Sequence, residues 1–125
     1  MDIFRMYYTI ETLIDSINAS IFNLSFLIMI ALIVIDILTG TVKAIKRKEW
    51  NSTFSKLGVL DHLLIITIIF IIDLVTNLSS LDYAFTFAVT FKLFFIGTYI
   101  GSIVENLGEM GIKLPKSITK YFDRL

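Results

Sequence analysis

Long apolar runs alternate along this chain with short polar interruptions, at lengths that suit helices crossing a bilayer. The first run covers residues 22–42, with 26–35 unbroken by any polar side chain. The second covers 63–78 (LLIITIIFIIDLVTNL), and the third, rich in phenylalanine, covers 83–104. About 20 residues, each rising 1.5 Å, cross roughly 30 Å of hydrocarbon. Abundant isoleucine would favour strands in water. These runs lack the alternation of barrel strands, however, and lipid obliges each backbone to satisfy itself, so helices are predicted. Only Ser79, Ser80, Leu81 and Asp82 separate the second and third runs, which should fold back as a tight antiparallel hairpin.

The flanking segments carry a different pattern. Ile3, Met6, Tyr7, Ile10, Leu13, Ile14, Ile17 and Ile21 recur at helical spacing, with Asp2, Arg5, Thr9, Thr12, Ser16 and Ser20 opposite. Charges at Asp2, Arg5, Glu11 and Asp15 make this stretch a poor span. Residues 1–20 are therefore expected to form an amphipathic helix at the interface or against a neighbouring subunit. In the tail, 105–125, Leu114, Ile118, Tyr121, Phe122 and Leu125 share one face, and Lys113, Lys116, Lys120 and Arg124 lie opposite. That is a basic amphipathic helix suited to an anionic inner leaflet, at ~1 kcal/mol per basic residue near the surface.

Composition sharpens the picture. Hydrophobic residues make up 56% of the 125 and mean hydropathy is +0.82, against about 45–50% for globular chains. A soluble domain of this size has too little interior to hide so much apolar surface. The acidic start and the lack of a small-x-small cleavage site argue against a removable leader.

Net charge is zero, which names no nucleic-acid partner, but its distribution sets an orientation. Residues 43–62 hold Lys43, Lys46, Arg47, Lys48 and Lys56; the tail holds Lys113, Lys116, Lys120 and Arg124; the 79–82 turn holds none. The positive-inside rule puts the 43–62 loop and the C-terminus in the cytoplasm and, with three spans, the N-terminus outside. The expectation is an all-α, multi-pass membrane protein.

Chemistry is sparse. There are no cysteines, and His62 alone cannot build a metal site. It reads as an interfacial histidine where the second span enters the membrane. No phosphate loop, nucleophile–base pair or nucleic-acid surface is visible, so neither an enzyme nor a cofactor is expected. Asn51, Ser52 and Thr53 read as a cap for the helix leading into span two, and the Asn-x-Ser/Thr sequons as accidents of composition.

Asp36, Asp73 and Lys92 are different, because each lies within an apolar span. A charge there costs at least ~2.5–3.5 kcal/mol and needs a partner, a neutral form or a watery face. About a turn centred between Asp82 and Tyr83, positions 73 and 92 are equally far out, so they should sit at similar depth near the mid-plane and pair, within a protomer or across a subunit boundary. Asp36 lies a little nearer the cytoplasm than that pair, and its sequence position leaves three readings open: it reaches Lys92, it lines a wet interface, or it is protonated. Small residues point to self-association: Gly97 and Gly101 form a GxxxG continued by Glu105 and Gly108, and Gly40 with Ala44 repeats the spacing in span one.

Several of these residues also carry a resemblance. Asp36-x-x-x-Gly40, Lys43-Ala44-Ile45-Lys46, Asn51-Ser52-Thr53 with Gly58, and then Ser102-Ile103-Val104-Glu105-Asn106 with Gly111 and Leu114-Pro115 resemble the phage lysis and toxin-secretion holins of Gram-positive bacteria and their phages. The resemblance covers roughly 30–120. It implies a small protein of the bacterial plasma membrane that homo-oligomerises and opens a lesion for a cell-wall hydrolase or a large toxin, functionally linked to that cargo without stable binding, with an antiholin as a candidate partner. The competing class is a non-lytic membrane protein: an antiholin, an ion channel or an accessory subunit.

Overall fold

The computed structural model describes residues 9–79 and 81–122. The start of the expected N-terminal helix, Ser80, Arg124 and Leu125 lie outside that range. All regular structure among the described residues is helical: α1 (Ile10–Ile21), α2 (Leu24–Lys46), α3 (Ser52–Leu78), α4 (Asp82–Glu109) and α5 (Lys116–Phe122). Three of them, α2, α3 and α4, are long and apolar enough to cross a membrane. They run up, down and up. One end of the bundle therefore gathers the 47–51 loop and the C-terminus of α4 (the basic end), and the other the connections before α2 and between α3 and α4 (the hairpin end).

The helices outrun the apolar windows. α3 starts eleven residues before position 63, and most of the loop expected over 43–62 is helical, leaving 47–51 as the irregular connection. Hydropathy marks where lipid begins, whereas helix hydrogen bonding continues into water until a cap stops it. Ser55 N–H donates to the Asn51 carbonyl at 3.0 Å, placing Asn51 at the start of α3. Thr9 and Asn23 accept backbone N–H bonds at the starts of α1 and α2.

Both chain exits at the basic end use the same device. Glu49 N–H reaches back to the Ala44 carbonyl at 2.9 Å and Ile112 N–H to the Leu107 carbonyl at 3.1 Å, across a residue in the left-handed region. That residue is Gly111 (φ 85°) after α4 but Lys48 (φ 57°) after α2. Gly111→Ala should cost about 1–2 kcal/mol, the penalty of a Cβ in that conformation. Denaturant titration in micelles, followed by helical circular dichroism, would read it, and no change would refute this account of the cap.

The most extensive packing joins α2 to α4, the two parallel spans, rather than the α3–α4 hairpin. Small residues permit it: a Cβ added at Gly40 would already lie 3.6 Å from Asn106 Nδ2, and Ala88 and Gly101 on α4 are buried. The core is thin: Phe26, Met29, Ile33, Ile69 and Tyr99, flanked by Phe70, Phe91 and Phe95. Most large apolar side chains on the spans, such as Leu38, Leu64, Phe87 and Phe94, are exposed, as expected where lipid rather than water surrounds the bundle.

The N-terminal helix turns its serine face to the bundle. Ser16 and Ser20 of α1 are buried, whereas Ile10, Leu13, Ile14 and Ile21 are exposed. α1 packs on α3, where Asn77 Nδ2 donates to Ser20 Oγ at 2.8 Å and Ser20 Oγ to the Ser16 carbonyl at 2.8 Å. The hydroxyls find polar partners on the bundle, and the apolar stripe turns outward.

Candidate functional site

The bundle carries two polar clusters at different levels. The first lies toward the hairpin end. Lys92 Nζ sits 2.9 Å from Asp73 Oδ1, with both side chains buried. It also donates to Ser25 Oγ at 2.7 Å and lies 3.5 Å from Asn23 Oδ1. Asn23 caps α2 through the Ser25 and Phe26 amides and also bonds the Ser25 hydroxyl, so the ammonium is tied to the start of one span and to the carboxylate of another. Asp73 Oδ2 is buried without a hydrogen-bond partner. Asp73 is five residues from the end of α3, roughly 8 Å by helical rise, so the pair lies nearer the hairpin end than the expected mid-plane. The long lysine side chain reaches toward the terminus of α2, where polar partners are available.

The second cluster surrounds Asp36, whose partners the sequence left unassigned. Asp36 Oδ1 accepts from Ser102 Oγ at 2.6 Å and from Asn106 Nδ2 at 3.2 Å, and Asn106 Nδ2 also lies 3.1 Å from Thr39 Oγ1. His62 Nε2 is 3.9 Å from Asp36 Oδ2. On its other side, His62 Nδ1 is 2.6 Å from the hydroxyl of buried Tyr99. All three spans thus converge on Asp36. Between the clusters, Met29, Ile33 and Ile69 form an apolar layer with each side chain at most 2% exposed.

A cavity of about 300 Å³ opens from the Asp36 cluster toward the basic end, lined by Gly40, Ala44, Glu49, Trp50, Ser55 and Gly58 among others. At the same end of the bundle, Glu109 receives Lys43 at 2.9 Å and Arg47 at 3.6 Å, joining α2 to α4.

The small residues divide in use. Gly40 and Gly101 serve packing within the protomer, and Ala44 lines the cavity. Around a Cβ added at Gly97 or Gly108 there is open space, and Glu105 is exposed. Of the basic residues, Lys43 and Arg47 pair with Glu109, while Lys46, Lys48, Lys113, Lys116 and Lys120 lie on the surface. Sequence reasoning missed His62, Tyr99, Ser25 and Glu109 as partners. It quoted Ser102 and Asn106 only for their resemblance, although Ser102, Asn106 and Glu109 recur at helical spacing on one face.

The family model described as "Bacteriophage holin family" matches residues 16–125, nearly the whole chain. The chain belongs to the bacteriophage holin family. Among curated relatives, this holin-family chain is 36% identical over 98 residues to a "Probable holin" of Bacillus phage phi105, covering 78% of itself and 69% of the relative. It is 35% identical over 98 residues to "Uncharacterized protein YqxH" of Bacillus subtilis strain 168, covering 78% and 66%. It thus spans about two thirds of each relative's length. No solved structure matches it. Family and helices together make this holin-family chain a multi-pass membrane protein. Among its described residues there is no group of three or more metal-ligating side chains.

Proposed function

We propose that this chain is a holin that oligomerises in the bacterial plasma membrane and opens a lesion, releasing a cell-wall hydrolase or a large toxin. The observation that carries this reading, beside family membership, is that every span contributes to polar clusters held inside a single protomer. In lipid such groups are costly unless paired. A second copy or entering water could take over those hydrogen bonds, turning an inward polar face into an intersubunit or lumenal one. The orientation proposed is N-terminus outside and C-terminus cytoplasmic. In its support, the Lys43–Arg47 segment and the Lys113–Lys120 segment fall at one end of the bundle. Lys46, Lys48, Lys113, Lys116 and Lys120 would then lie along the anionic inner leaflet.

The subunit contact is proposed to use the outer face of α4. Gly97 is open there, beside exposed Leu93 and Phe94, and backbones approach most closely where Cβ atoms are missing. Gly97→Leu should therefore reduce crosslinked oligomers several-fold while leaving helix content intact, because nothing in the protomer opposes the added side chain. Unchanged oligomers would remove α4 from the contact.

The reading as a whole is tested by induced expression in a bacterial host. Release of a cytoplasmic reporter enzyme is expected, and intact membranes at high expression would favour a non-lytic role such as an antiholin.

A further inference from the structure

The cavity at the basic end has an apolar extension. Ser55 and Val59 line both it and a second, almost wholly apolar depression completed by Lys56 and Leu60 on the flank of α3. Small residues leave the space open, since Gly40, Ala44, Ser55 and Gly58 line it with side chains too short to fill it. The inner cavity holds two carboxylates, Asp36 and Glu49, and one imidazole, with no lysine or arginine in its lining. Asp36 Oδ1 is occupied by Ser102 and Asn106, whereas the nearest described partner of Oδ2 is His62 at 3.9 Å. This cavity favours a cation with hydrogens to donate. The depression favours hydrocarbon, with one ammonium, that of Lys56, beside it.

From these features we infer that the paired cavities form a binding site for one phospholipid whose headgroup ends in a primary ammonium. The ammonium occupies the space before Asp36, the phosphate lies by Ser55 and Lys56, and an acyl chain follows Val59 and Leu60. Charge complementarity runs in the order the molecule requires: acid within, base at the edge, apolar surface beyond. At about 300 Å³ the inner cavity falls at the small end of ligand sites, roughly 300–1,000 Å³, and suits a headgroup rather than a larger solute.

Trp50 is the chain's single tryptophan and lines the cavity, so its fluorescence reports occupancy. The full chain is reconstituted in vesicles of phosphatidylglycerol and phosphatidylcholine doped with a lipid brominated on its acyl chains, bearing in turn an ethanolamine, a choline or a glycerol headgroup. The expected result is a roughly tenfold preference for the ethanolamine lipid in quenching Trp50, the factor expected of hydrogen bonds to a charged group. Gly58→Leu should abolish that preference. A Cβ there meets nothing within 4 Å, so the variant fills the space without disturbing the backbone, and unchanged helix content verifies its fold. Asp36→Asn should weaken the preference in the same direction. Equal quenching by all three lipids, a preference for the glycerol headgroup, or persistence of the effect in Gly58→Leu would each overturn the proposal. So would displacement of the lipid by aqueous ethanolamine, which would assign the cavity to a soluble amine.

Discussion

Lys92→Met should destabilise the protomer by about 3–5 kcal/mol, the cost of breaking a buried ion pair by removing one partner. The Asp73 carboxylate would lose its ammonium partner while its other oxygen lacks a hydrogen bond among the described residues. Asp73→Leu should cost a similar amount, because the ammonium would keep only Ser25 and Asn23. Combining the two should recover most of the loss, since neither charge then remains in the apolar interior. Denaturation in mixed micelles, followed by helical circular dichroism, gives all three values. Single variants within 1 kcal/mol of the parent, or a double variant worse than both, would show that the pair does not hold the bundle together.

Asn106→Leu should cost about 2–3 kcal/mol and loosen the α2–α4 contact selectively. The amide donates toward Asp36 and lies against Thr39, and a hydrogen bond to a charged acceptor contributes about 1.5–3 kcal/mol. Amide exchange should accelerate in 36–46 and 99–109 while the α3–α4 turn stays unchanged. Uniform acceleration across all helices would mean that the cluster stabilises the whole bundle rather than this seam.

What the sequence reveals here depends on the range of the interaction. The three spans follow from run length alone, because a bilayer imposes a fixed distance on any helix that crosses it. The approach of Asp73 to Lys92 follows from the short connection that folds the second and third spans together. Asp73 nevertheless lies five residues from the end of α3 and Lys92 ten into α4, a difference the long lysine side chain spans. No comparable rule relates Asp36 to residues 66 and 70 positions away: α2 and α4 are parallel with a whole span between them in sequence, so their register is a tertiary packing outcome. His62 looks interfacial in sequence because α3 seems to begin near 63. Once the helix is seen to start at Ser52, His62 moves ten residues inside it, to the level of Tyr99. For α1, periodicity identifies the two faces but not which one the protein takes. In water the apolar face would turn inward. With lipid outside and Asn77 available within, the serines do so instead.

The layer of Met29, Ile33 and Ile69 has an electrical consequence. Ions crossing a single protomer would have to leave one polar cluster and traverse hydrocarbon-like side chains before reaching the next, so each copy adds insulation rather than conductance. On the proposed reading, the membrane voltage should hold steady as copies accumulate and collapse only when many of them rearrange together. The timing of damage would then be set by the crowd and not by the first arrivals.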